Sequence, residues 1–273
     1  MPTLPAALPR LAALSLAVAA LLNVPAVAAD TGRIDSRIEL YAVAGLHVMT
    51  IRETLSESPT SYAITMGLQS RGIANLFANI RSRTEVTGRI AGGRLYPQTF
   101  DSNIDRGGED IVTRATFGNG SVLSVNVTPR PTKARTPVTP DQLRGTVDEH
   151  TAYYELERQL ASTGSCALTV PVFDGLHRFN LLFRDLPPSS ALDHPVREFS
   201  GPTKGCEVTR QKISGFPIDG DKEGMDHGRM WFARLLPGPF MLPVQMEFDT
   251  ELGVIRGYLA ELHGHGVDLA LMK

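Results

Sequence analysis

Hydrophobic and polar residues alternate along most of this chain, and the period is two. Tyr62, Ile64, Met66 and Leu68 alternate with Ala63, Thr65, Gly67 and Gln69, as in a strand with one buried face. Between Ile80 and Ile90, the polar Arg81, Arg83, Glu85, Thr87 and Arg89 share one face, and Ile80, Val86 and Ile90 share the other. Val244, Met246 and Phe248 alternate with Gln245, Glu247 and Asp249 in the same way. Weaker strand patterns cover 37–43, 46–53, 94–101, 110–117, 121–128, 167–172, 177–185, 206–213, 229–236 and 253–262. About a dozen strands at short spacing predict a mainly β fold, a curved antiparallel sheet closing into a barrel-like or spiral shape. Gly118-Asn119-Gly120 and Asp174-Gly175 mark reverse turns between strands.

Two segments break this rhythm. Pro129 to Pro140 holds four prolines, cannot donate ladder hydrogen bonds regularly, and reads as an extended surface connection over 129–140. After it comes the one clear helix, 148–162, capped by Asp148 and ended near Gly164, with Ala152, Tyr153, Leu156 and Leu160 as its apolar stripe. Bracketed by strands, that helix is expected to plug or buttress the curved sheet. The apolar connection 71–79 is expected either as a short helix over one end of the barrel or as a flap at the mouth of a cavity, with Leu76 and Phe77 as its apolar contacts. A dozen strands enclose more interior than one helix fills. The expected apolar cavity is lined by Tyr62, Ile64, Met66 and Leu68, and by Phe179, Leu181 and Phe183 of the 177–185 strand.

The N-terminus reads as a leader. Residues 11–24 are uncharged and apolar after Arg10, too short a run for the ~20 residues of a bilayer span. Ala26-Val27-Ala28 offers a small-x-small cleavage pattern, so 1–28 is expected to be a signal peptide and 29–273 a single β-rich domain. A periplasmic location follows as the expectation.

Composition narrows the function classes. The formal charge of −2 gives no basic footprint for nucleic acid. Hydrolase and nucleotide motifs are missing: there is no Gly-x-Ser-x-Gly, Ser-x-x-Lys or His-Glu-x-x-His, and no phosphate-cradling glycine loop. Asp101 to Asp110 starts like a calcium loop but carries Arg106 where glycine is needed and Val112 where a bidentate Glu is needed. His263 and His265 share a strand face and Asp226 adjoins His227, yet neither pair supplies enough ligands for a metal site. No catalytic residue, metal or cofactor is assigned. Cys166 and Cys206 are the only cysteines; in an oxidising compartment a structural disulfide is favoured over a free nucleophile, and the Cys-x-x-Cys spacing of a redox dithiol is missing.

The stretch from Thr163 through Cys166, Pro171-Val-Phe-Asp-Gly175 and Leu181, with Ser200-Gly-Pro-Thr-Lys-Gly-Cys206, resembles the bacterial envelope proteins of domain of unknown function 3108. Leu40-Tyr41-Ala-Val-Ala-Gly45, Gly145-Thr146-Val-Asp148 and Trp231-Phe-Ala-Arg extend the resemblance over about 35–262. Glu149 and His150 stand where the family commonly has Pro and an apolar residue. The resemblance implies a periplasmic, β-rich protein and carries no catalytic residues. The functional expectation is a non-enzymatic envelope protein that binds a lipid-like ligand or a partner protein through its curved sheet. The rival expectation is a glycan- or lipid-acting hydrolase using scattered carboxylates such as Asp105 with Glu109 or Asp219 with Asp221.

Overall fold

The computed structural model describes residues 32–72, 74–77, 79–187, 199–219, 226–250 and 253–272, without the side chains of Val43, Leu76 and Phe77; the leader 1–28 lies outside this set. The strands are β1 (Gly32–Tyr41), β2 (His47–Glu57), β3 (Ser61–Ser70), β4 (Ile80–Ala91), β5 (Arg94–Arg106), β6 (Glu109–Gly118) and β7 (Ser121–Thr128). After the long connection come β8 (Leu168–Phe173), β9 (Arg178–Asp185), β10 (Lys204–Ser214), β11 (His227–Ala233), β12 (Leu242–Thr250), β13 (Gly253–Gly264) and β14 (Val267–Ala270). Two helices accompany them, α1 (Ala74–Phe77) and α2 (Glu149–Thr163). The alternation predicts every strand but the four-residue β14, although several run a few residues longer than their pattern.

Alternation becomes burial directly. In β4, Thr84, Val86 and Gly88 are buried while Arg83, Glu85, Thr87 and Arg89 are exposed. The tight hairpins carry residues suited to positive φ: Gly107-Gly108 between β5 and β6, and Asn119-Gly120 between β6 and β7. Asp105, weighed above as half of a carboxylate pair, instead accepts the Gly108 N–H at 2.7 Å and so holds its own turn. The calcium-like stretch Asp101 to Asp110 is likewise a β-hairpin.

All strands belong to one antiparallel sheet in the order β7-β6-β5-β4-β3-β2-β1-β13-β12-β11-β10-β9-β8, with β14 added beside β13. It is two meanders joined where β1 pairs with β13, in register from Ile34–Gly264 to Tyr41–Arg256. Register shifts at Arg37/Ile38, Thr87/Gly88, Thr116/Phe117, Lys212/Ser214 and Trp231/Phe232 bend the strands, since each bulge adds local curl and twist. The sheet coils without closing, and its ends β7 and β8 share no ladder.

The ends nevertheless come close. A Cβ on Gly175, at the β8–β9 turn, would lie 2.2 Å from Thr113 of β6, so only glycine, here at φ 97°, allows that approach. The connection between β7 and β8 spans the remaining gap. Gly145 donates to the Gly120 carbonyl at 2.7 Å, and Val147 exchanges hydrogen bonds with β8 at Pro171 and Phe173 as an isolated parallel bridge. Its proline-rich part is mostly exposed, as expected, and touches Phe216 through Thr136.

α2 then runs through the inside of the coil. The Asp148 side chain accepts the Thr151 N–H at 2.9 Å, and Gly164 ends the helix in the left-handed conformation. Ala152, Leu156 and Leu160 are at most 1% exposed. Both meanders contribute neighbours: the Tyr62 hydroxyl bonds Thr151 at 2.8 Å, and the Tyr153 ring meets Phe183 edge-on at 5.7 Å. Gly88 makes room for this packing, because a Cβ there would collide with the Tyr62 ring at 2.3 Å. Trp231 and Phe232 are core residues.

Cys166 and Cys206 form a disulfide that ties the exit of α2 to β10. Beside it, the Asp185 carboxylate accepts the Cys166 N–H at 2.9 Å and pairs with Lys204 at 2.8 Å; these contacts hold its pKa down at about 2. The bond closes a loop of 40 residues, for which chain entropy gives about 4 kcal/mol. Replacing both cysteines by Ser is expected to lower stability by up to about that amount, read as a fall in urea midpoint with a steeper slope, because the uncrosslinked unfolded chain exposes more surface; an unchanged midpoint would show the bond to be dispensable.

Candidate functional site

Between β5 with the β4–β5 and β6–β7 hairpin ends on one side and β8 on the other, the unclosed sheet leaves a groove of about 1450 Å³. Its floor is one face of α2: Glu155, Arg158, Gln159 and Ser162 recur at i, i+3, i+4 and i+7, beside the buried Ala152–Leu156–Leu160 stripe. One wall comes from Leu95 and Pro97 of β5 and Phe117 of β6, the other from Leu168, Val170 and Pro171 of β8. Polar groups share these walls, Arg94 and Gln98 on one side and Thr169 on the other, and the floor is polar.

Its charges are unevenly satisfied. Arg158 pairs with Glu57 at 2.7 Å, and Arg89 lies 5.8 Å over the Tyr96 ring. Arg94 makes no ion pair among the described residues. Glu155 is the one acidic side chain in the lining. Burial, helped by the nearby Asp148 charge and opposed by Arg94, pushes its pKa up to about 7.

A second polar cluster lies deeper. Glu53 and Glu57 stand on the inner face of β2 with the buried Leu55, and Glu57 reaches α2 through Arg158. Burial raises the pKa of Glu53, which the neighbouring His150 partly offsets. Glu157 of α2 is raised well above the usual range by burial and by the charge of Glu53. Asp148 is raised by burial against the pull of His150 and its bonds to Thr151, and burial raises the Tyr62 hydroxyl. Two carboxyls that cannot both shed their protons cheaply face each other inside the coil.

The seven residues expected to line a cavity all lie on inner faces, and none lines the groove. Tyr62, Ile64, Phe179, Leu181 and Phe183 are at most 3% exposed and pack in the core. Met66 and Leu68, one and two rows further along β3, are half-buried. The 71–79 connection contains the short helix α1, fastened by a Ser70–Asn75 side-chain bond at 2.5 Å; the side chains of Leu76 and Phe77 fall outside the described residues. Asp219 is exposed and Asp221 lies outside the described residues. His263 pairs with Asp268 at 2.9 Å and His265 turns its ring edge to Phe240, so the two do not converge. His227 bridges Glu207 and Asp249 instead of turning to Asp226, and those two hydrogen bonds raise its pKa.

Sequence reasoning misses Glu53, Glu155 and Glu157. A signal for Glu155 exists in the polar i, i+3, i+4, i+7 spacing on a helix expected to be enclosed. Glu53 and Glu157 carry none, because only the coil brings β2 against α2.

The raised carboxyls make a pH prediction with a definite sign. A carboxyl whose folded pKa lies above its unfolded value favours the folded state less as pH rises past the unfolded value, ~4.3. Glu155 imposes this loss between about pH 4.5 and about 7, and Glu157, raised by burial and by the charge of Glu53, adds to it above the unfolded value. Glu157→Gln is expected to flatten the decline in melting temperature above about pH 4.5 and to raise it by several degrees at neutral pH. A parallel pair of pH–stability curves would refute the assignment.

A family model described as "Protein of unknown function (DUF3108)" matches residues 37–260. No curated protein matches the chain. Among solved structures, a crystal structure of a "beta-barrel-like protein" of DUF1849 from Brucella abortus is similar at 14% identity, over 85% of this chain and 96% of that one, with a TM-score of 0.48. The match to the family model takes in both meanders, α2 and the disulfide, and this chain belongs to the DUF3108 family of proteins of unknown function.

Proposed function

We propose that this is a non-enzymatic protein of the periplasm, folded after export as one β-rich unit, that holds a lipid-like ligand in the groove between the two ends of its sheet. The groove carries the reading. Leu95, Phe117 and Val170 are almost fully buried in its walls, and the half-buried Leu168 and Pro171 of β8 add apolar surface beside the polar face of α2. The groove's volume of about 1450 Å³ exceeds the ~300–1,000 Å³ of a small-molecule pocket and suits an extended chain.

The export reading rests on the 1–28 leader and on a disulfide, which persists in an oxidising compartment. No described helix is long and apolar enough to cross a membrane. The non-enzymatic reading is supported by the lining itself: it holds one carboxylate, no His and no Cys, whereas glycoside hydrolysis by acid and base needs a pair of carboxyls across the substrate.

The test is native mass spectrometry of protein released gently from the periplasm of its own cell. A bound mass of lipid size is expected. Gln98→Trp, which places a large ring in the groove from an exposed β5 position, is expected to cut occupancy about tenfold and to leave stability within about 0.5 kcal/mol. A bare protein, or equal occupancy in the variant, would remove the groove as the binding site.

A further inference from the structure

We propose that the groove selects a single-chain amphiphile with an anionic head, the chain lying between the β5–β6 and β8 walls and the head resting against Arg94. This rests on the lipid-binding reading above and adds to it the chemistry of the ligand.

The walls and the floor impose different chemistry. Leu95, Pro97 and Phe117 on one side and Leu168 and Val170 on the other give each wall an apolar part that a chain can cover, beside the polar Gln98 and Thr169. The floor cannot be covered by the same chain without cost, because Glu155, Arg158 and Gln159 would lose their water. A ligand that is apolar throughout therefore fits the walls and not the floor. An amphiphile satisfies both.

The sign of the head follows from the charges. Arg89, Arg94 and Arg158 stand against Glu155 alone. Arg158 is already committed to Glu57 at 2.7 Å and Arg89 is spread on the Tyr96 ring. Arg94, at the start of β5, is exposed and has no ion-pair partner among the described residues. Its charge acts on Glu155, whose pKa burial pushes up to about 7. The groups facing Glu155 are Arg94 from β5, with Asp148 and Arg158 from α2 and its cap; the β8 wall contributes no charged side chain. Below neutrality the charges of the lining are those of its arginines, and above it an ionised Glu155 lowers that positive charge, repels an anion and competes for Arg94.

The experiment titrates delipidated mature protein with two probes of the same acyl chain, lysophosphatidylglycerol (anionic) and lysophosphatidylcholine (zwitterionic), near pH 6 and near pH 8.5. The wild-type protein is expected to prefer the anionic probe by about tenfold near pH 6 and to lose part of that preference near pH 8.5. Arg94→Gln removes most of the preference while leaving the zwitterionic probe unaffected, and its melting temperature shows that it folds. Glu155→Gln keeps the preference at both pH values. Equal affinity for the two probes, or a preference untouched in Arg94→Gln, overturns the headgroup assignment and leaves the lipid-binding reading standing. Binding of neither probe to folded protein overturns both.

Discussion

The architecture depends on the pairing of the first strand with the last long one. Once β1 lies beside β13, both chain ends of the sheet are used up at its centre. The outer edges are then β7 and β8, which are consecutive in sequence but opposite in the sheet. The connection between them has to travel from one edge to the other. Coiling shortens that path, and Gly145 and Val147 cross it with backbone hydrogen bonds to Gly120 and β8. The helix that completes the connection is carried inside, where both meanders need something to pack on. The disulfide follows the same logic, fixing the exit of α2 to the second meander at the point where the chain leaves the interior.

Carrying a helix inside a coil has an electrostatic consequence. A surface helix turns its polar side chains to water, but α2 has β strands on more than one side. Its Asp148 and Glu157 are enclosed, and Glu53 meets them from β2. Burying carboxyls costs free energy unless they are protonated or paired. Here Thr151 pays part of it for Asp148 through two hydrogen bonds, and Arg158 pairs with Glu57 nearby. The remaining cost shows in Glu53 and Glu157, whose pKa values burial raises. The polar stripe of α2 escapes burial only along the line where the sheet is open, so the unclosed seam solvates the helix and creates the groove together.

Much of this fold is legible locally. Period-two alternation marks the strands because each buries one face, and Asp148 and Gly164 mark the helix ends because capping is a property of a few adjacent residues. The turns at Asn119-Gly120 and Asp174-Gly175 are legible because positive φ restricts the residue type. β14 escapes notice since four residues carry too little pattern. The β2 pattern breaks off at Glu53 for a different reason: Ile51, Glu53, Leu55 and Glu57 share one face, and local sequence cannot say that two carboxylates point inward.

The chain by itself thus determined where all but one of the strands lie, which of their apolar residues face inward, where the helix starts and stops, and which two cysteines meet if the compartment oxidises them. Tertiary structure decided what the inward faces are for. Tyr62, Ile64, Phe179, Leu181 and Phe183 were legible as inward but became core, because α2 lies on them. The groove appeared elsewhere, at the seam between strands far apart in the sheet. Its residues come from β4, β5, β6, the start of β7, the 145–147 connection, α2, β8 and Pro239, and nothing in any one of these segments records the others. Proximity of that kind is set by the coil of the whole sheet, a long-range property that no local pattern encodes.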